Sequence, residues 1–140
     1  MLRTSTRWIL CGALLAGAGC GGTDGGDPGM AAFNPGRPPA ELDRGAVLYA
    51  SYCASCHGAL GKGQGLGPPL LDTLFLPEIT SDSVMLAAMQ VGAPQRRWHF
   101  GAMPPATRVE AAEMPQVVAY VRWLQQAYHG ARSGAPGNRP

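Results

Sequence analysis

Three stretches of this chain place apolar residues at helical spacing, and two long irregular segments separate them. In the first, Leu42, Ala46, Tyr49 and Cys53 recur every three or four residues, which predicts an amphipathic helix beginning near Glu41. Pro38 and Pro39 precede it, and Glu41 and Asp43 suit its electropositive start. The second follows Thr80-Ser81-Asp82, whose side chains suit an N-cap. It carries Val84, Met85, Ala88 and Met89 on one face and ends at Gly92. The third runs from about Glu110 to Tyr128, with Met114, Val117, Val121, Leu124 and Tyr128 on one stripe and Gly130 as its stop. Pro115 is tolerable in its first turn, where backbone N–H groups lack partners. No stretch alternates well enough to predict a strand, so the expected class is all-α with three main helices.

The segments between these helices are Gly58–Pro69, with five glycines and two prolines, and Gly92–Arg108. Loops of this length in a small domain are usually there for a use. Outside the helices, residues 20–39 are rich in Gly and Pro and read as a flexible linker. Residues 130–140 read as a disordered tail. Residues 40–129 remain as one domain, small enough that its own apolar core is modest. A large flat apolar cofactor would complete such a core.

The chemistry begins at Cys53-Ala54-Ser55-Cys56-His57. Two thiols three residues apart lie on one side of a helical turn and can each add across one vinyl group of haem. The imidazole directly after them can bind iron as proximal ligand. A dithiol redox motif is the first rival, but it belongs at a helix start in a βαβ pattern, which is absent here. Half of a zinc site is the second, but no further Cys-x-x-Cys and no paired His99 and His129 complete it. The motif occurs once, which predicts one covalently bound haem c.

The N-terminus bears on where that haem is attached. Arg3 and Arg7 precede an apolar run of 11 residues, Trp8–Ala18, too short to span a bilayer and suited to a secretory signal peptide over residues 1–19. Cys20 follows, then a Gly- and Asp-rich stretch, a context that favours a bacterial lipoprotein with lipid at Cys20. The alternative is ordinary cleavage after Ala16-Gly17-Ala18, and Gly17 stands where lipoprotein signals usually carry Leu. Lipid at Cys20, haem at Cys53 and Cys56, and removal of Cys11 with the signal leave no cysteine without a role. Setting aside Arg3 and Arg7 leaves nine basic against nine acidic residues, with no basic patch for nucleic acid. Arg96-Arg97, the only basic doublet, suits either a solvated surface pair or partners for haem propionates.

The candidate for the second iron ligand is Met103, in Gly101-Ala102-Met103-Pro104-Pro105. The prolines stiffen that loop in an extended form, and the small residues allow close approach. A thioether raises the potential of the iron. His99 is the rival, and bis-histidine ligation would lower the potential. Met85, Met89 and Met114 read as core, Met30 as linker, and His129 as a surface cation at a helix end.

Cys53–His57, Gly67-Pro68-Pro69-Leu70, Met103-Pro104 and Ala119-Tyr120-Val121-Arg122-Trp123-Leu124 together resemble the class I cytochromes c, over about Gly45 to Gln125. The resemblance implies a cytochrome c-type fold, with three main helices wrapped around one haem and the first and last helices crossing at a steep angle. It sets Gly45 and Tyr49 against Tyr120, and makes the Pro68 carbonyl the acceptor for Nδ1–H of His57. Trp98 suits either a propionate hydrogen bond or a packed loop anchor. Asp72–Ser81 carries no mark of the family, and with Lys62 as the only lysine the docking ring of the mitochondrial members is absent.

The expectation is a non-enzymatic, monomeric one-electron carrier, exported and lipid-anchored at the periplasmic face of a bacterial membrane. Cys53, Cys56, His57, Pro68 and Met103 form its haem site. Its partners are expected to be a respiratory complex, an oxidase or a dehydrogenase, met through an apolar patch. The alternatives are a haem c subunit of a larger oxidoreductase, or a gas sensor or peroxidase if Met103 is not a stable ligand.

Overall fold

A computed structural model of the chain describes residues 27–133. The expected signal peptide, the lipidation site Cys20 and residues 134–140 of the tail lie outside the described residues. Within them the protein is helical: α1 (Pro28–Ala32), α2 (Asp43–Tyr52), α3 (Ala54–His57), α4 (Asp82–Val91) and α5 (Met114–Ser133). Three single 3₁₀ turns, Ala40–Leu42, Ala59–Gly61 and Thr73–Phe75, lie between them. The only extended pairing among the described residues is an isolated antiparallel bridge between Ala93 and Met103. The long helices α2, α4 and α5 are the three expected from the apolar spacing, and the all-α class holds.

The core forms where α2 packs on α5. Leu48 and Tyr49 of α2 meet Val117, Tyr120, Val121 and Leu124 of α5, and all are buried. Gly45 makes this approach possible. A Cβ there would stand 2.1 Å from the carbonyl oxygen of Gln116 and 3.1 Å from Cβ of Tyr120. One turn on, the Tyr49 and Tyr120 rings tilt against each other with centroids 5.5 Å apart. Gly45 and Tyr49 thus meet Tyr120 as the resemblance implied. Arg44 and Glu113 pair across the start of both helices, with the Arg44 Nε at 2.8 Å.

Helix boundaries differ from the expected ones for local reasons. The chain enters the first helix through the Ala40–Leu42 turn, and regular α-helix starts at Asp43. Ser81 takes the N-cap position of α4, but its hydroxyl bonds the Ser83 hydroxyl at 2.9 Å rather than a backbone N–H. α5 starts at Met114, after a turn in which Glu110 O accepts from the N–H of Glu113 and Met114. Pro115 falls in its first turn.

Gly130 does not stop α5, which continues to Ser133. The extra turn has its own anchors: Ser133 Oγ donates to His129 O at 2.9 Å, and Arg132 pairs with Asp27 at 2.9 Å. Asp27 belongs to the stretch expected to be free linker, and the described part of that stretch is not free. Asp27 caps α1 through Gly29 N–H at 2.9 Å and accepts from Tyr128 Oη at 2.6 Å. Met30 is buried in the core rather than exposed in a linker, and Phe33 packs edge-on against Tyr128. The Gly/Pro content masked two anchors, one apolar and one aromatic, that a folded segment can use.

Candidate cofactor site

α2 and α3 are nearly continuous. Cys53 keeps helical angles at their junction, its N–H reaching Tyr49 O and its carbonyl accepting from His57 N–H, both at 2.9 Å. Cys53, Cys56 and His57 therefore sit within little more than one turn. Tyr49 Oη donates to Gly58 O at 2.9 Å and ties the end of that turn back to α2. Burial raises the Tyr49 phenol far above its ordinary range, so it stays a neutral donor.

Beside this turn is a cavity of about 670 Å³, within the roughly 300–1,000 Å³ of cofactor pockets. Tyr49, Cys53, His57, Pro68 and Leu70 form one part of its wall, Met85, Ala88 and Met89 of α4 another, and Val117, Val118 and Val121 of α5 a third. The 92–103 segment contributes Arg96, Arg97, Trp98, Phe100 and Met103. No carboxylate lines the cavity among the described residues.

His57 is 8% exposed, and its Nδ1 lies 2.9 Å from Pro68 O. A carbonyl can only accept, so Nδ1 carries the proton and Nε2 keeps its lone pair. Burial lowers the pKa of the ring, and the Pro68 bond opposes this in part. The result is a neutral imidazole of fixed tautomer, the form a metal requires. Burial pushes the Cys53 thiol up to about 11, and neighbouring Cys56 adds to the shift. A dithiol redox motif needs the opposite shift. Cys56 is half-buried and does not line the cavity. No group of three or more His, Cys, Asp or Glu side chains is placed to hold a metal ion among the described residues.

Met103 lines the cavity from a pinned loop. Its N–H and carbonyl bond Ala93 O and N–H at 2.8 and 3.0 Å, and Ala106 N–H reaches Met89 O at 2.7 Å. Gly92 makes the turn possible, with φ +83° and no room for a Cβ, which would stand 2.6 Å from Met103 O. His99 is exposed and does not line the cavity; its Nδ1 is 3.5 Å from Gln95. Met85 and Met89 combine both roles, packing with the core and lining the cavity. Trp98 stacks on Phe75 with centroids 5.7 Å apart, and the Arg97 guanidinium lies 5.7 Å from its ring, so it anchors the loop.

The sequence reading missed how the Leu70–Thr80 wall is held. Gln125 is 1% exposed, and its Nε2 donates to Leu70 O at 2.8 Å and Phe75 O at 2.9 Å. Arg122 bonds Asp82 and the carbonyls of Phe75 and Thr80, and donates to Gln125 Oε1. Leu70, Leu74, Phe75, Ile79 and Thr80 all line the cavity. A glutamine four residues after Val121, on a stripe otherwise apolar, was the available signal. His129 likewise bonds inward, Nε2 to Leu71 O at 2.9 Å, rather than lying free on the surface.

The donor set and walls fit a covalently attached haem. Apolar side chains bound a space of suitable size, a half-buried thiol and an imidazole with a free Nε2 reach it from one turn, and a thioether reaches it from a stiff loop. Fold and site together define an all-α haem protein of the c type. The chain matches the family model described as cytochrome c over residues 42–125, and it belongs to that family. It is thereby a protein with covalently bound haem c. It is also similar to cytochrome c-L of Methylorubrum extorquens, 33% identical over 96 residues, covering 67% of this chain and 44% of the relative. The chain thus spans less than half the length of that relative.

Proposed function

We propose that this protein is an exported mono-haem carrier that passes single electrons between larger redox partners. Cys53 and Cys56 would hold the haem through two thioether bonds, the S–H of each thiol adding across one vinyl C=C. His57 through Nε2 and Met103 through its sulfur would hold its iron. Bound haem supplies an iron that takes up and releases one electron. The observation that carries this reading is that one apolar cavity is lined by both Met103 and a His57 whose Nδ1 is already committed to Pro68 O at 2.9 Å. The exposed position of His99, away from the cavity wall, favours Met103 over it.

Pro68 orients the imidazole and strengthens it as a donor. The apolar wall excludes water from the redox centre, and the pinned loop keeps the sulfur from drifting as the charge changes. Lipid at Cys20 would hold the monomer at the periplasmic face of a bacterial membrane, where a respiratory complex, an oxidase or a dehydrogenase can exchange electrons with it. The near-neutral surface favours docking through apolar contact over long-range steering.

The oxidised absorption spectrum tests the ligand set. A weak far-red sulfur-to-iron band is expected in the wild type and is lost in Met103→Ala. A band that persists in the variant makes Met103 the wrong ligand. No band in the wild type, with ready carbon monoxide binding on reduction, overturns the carrier reading.

A further inference from the structure

We infer that Asp27–Phe33 is a clasp that sets the length and attachment point of the membrane tether. The inference rests on lipid attachment at Cys20. The clasp is held by several independent contacts. Asp27 accepts from Tyr128 Oη at 2.6 Å and pairs with Arg132 at 2.9 Å. Met30 is buried in the core, Phe33 meets the Tyr128 ring at 5.2 Å, and Lys62 Nζ donates to Ala31 O at 2.9 Å. Gly29 passes so close to α5 that a Cβ would stand 2.7 Å from Arg132 Nη1. These contacts join α1 to the last turns of α5 and to the loop after the haem-attachment turn.

Chain length gives the clasp its consequence. Asp27 lies seven residues after Cys20, so the tether spans at most about 25 Å in any conformation. Without the clasp, the first regular turn of the domain begins at Ala40, twenty residues after Cys20, and the limit rises to about 70 Å. The clasp also chooses which part of the domain the tether holds. The cavity touches α5 at Val117, Val118 and Val121, whereas Tyr128 lies seven residues beyond Val121, about 10 Å further along the axis. The tether therefore joins the domain at the end of α5 away from the haem cavity. It keeps the domain close to the lipid without drawing the cavity wall against it.

Haem absorbs visible light, so quenching of a headgroup-attached dye reports its distance from the surface. The full-length lipidated holoprotein is bound to vesicles of neutral phospholipid carrying such a dye, and an Asp27→Ala/Met30→Ser variant is compared with it. The variant is expected to quench about two-fold less, because the limit on the tether's span rises from about 25 Å to about 70 Å. An unchanged haem spectrum certifies that its domain is folded. If it is not, the milder Asp27→Asn/Phe33→Leu pair takes its place. As a reference, thirteen Gly and Ser residues are inserted before Asp27 with the clasp intact. Quenching that falls with the insertion but not with clasp variants overturns the clasp, and quenching indifferent to both overturns tether length as the governing quantity. Cys20→Ser separates the underlying reading: if it still binds the vesicles, the lipid tether fails and the proposal with it.

Discussion

The α2–α5 contact and the wall formed by α4 with the 92–106 segment are both apolar, but they are completed differently. In the first, protein fills most of the space: Gly45 admits the Gln116 backbone, and Leu48, Tyr49, Val121 and Leu124 are buried, with only Tyr49 and Val121 of these also edging the cavity. In the second, α4 fully buries only Met89, while Val84 is 55% and Val91 77% exposed, and both line the cavity with Ile79 at 62%. Apolar surface placed so is better explained by the flat face of haem than by water. One side of the molecule is specified by side chains fitting each other, the other by side chains fitting a cofactor.

Removing the cofactor should break the comparison most. In Cys53→Ser/Cys56→Ser, with no covalent attachment, α4 and the Met103 loop are expected to lose hydrogen-exchange protection by about two orders of magnitude, equivalent to roughly 3 kcal/mol of local stability. α2 and α5 should retain more. Equal loss in both regions would mean that the α2–α5 contact also depends on haem.

The converse experiment attacks the protein-filled side. Gly45→Ala gains about 1 kcal/mol of intrinsic helix propensity. Its Cβ, however, would stand 2.1 Å from Gln116 O, so backbone has to move. A net loss of about 3 kcal/mol is expected in denaturant unfolding of the holoprotein. A loss below about 1 kcal/mol would show that the two helices can separate slightly at little cost.

Gln125→Leu lies on the boundary between the two regions. It leaves Leu70 O without its amide donor, while Phe75 O keeps Arg122. One unsatisfied carbonyl costs about 2 kcal/mol. Both carbonyls belong to cavity-lining residues, so exchange protection around Leu70–Thr80 should fall before that of α2. A uniform fall along the chain would place Gln125 with the self-packed core instead.

What could be read beforehand follows the same division. The α2–α5 side was legible because helical spacing reports burial directly, and the haem-attachment motif because its chemistry needs those residues at that spacing. The cavity wall was less legible. Met103 was recognisable from Pro104 and Pro105, but its bridge to Ala93 and the turn at Gly92 depend on backbone pairing that no periodicity reports. Asp72–Ser81 looked featureless because its apolar residues face a cavity rather than a neighbouring helix. Its support comes from Arg122 and Gln125, more than 40 residues away in sequence. The 27–33 segment was misread because composition averages over a stretch, whereas Asp27, Met30 and Phe33 act singly.

The smallest expected effect concerns the contact farthest from both regions along α5. The Tyr128 hydroxyl, then the Gly29 N–H, hold the Asp27 carboxyl below its usual 3.8; Arg132 adds to this and partial burial opposes it. A carboxylate with a lowered folded-state pKa contributes stability above its unfolded value, and that contribution disappears as pH falls through the folded one. Below about pH 4, therefore, the α1 amides and the Tyr128 ring should begin to lose their native signals by NMR, while those of Gly45 and Leu124 hold. Asp27→Asn tests the assignment: it should weaken the clasp slightly at neutral pH and remove the acid-dependent step in α1. If that step survives in Asp27→Asn, the clasp is held by Met30 and Phe33 alone, and the ion pair with Arg132 is incidental to it.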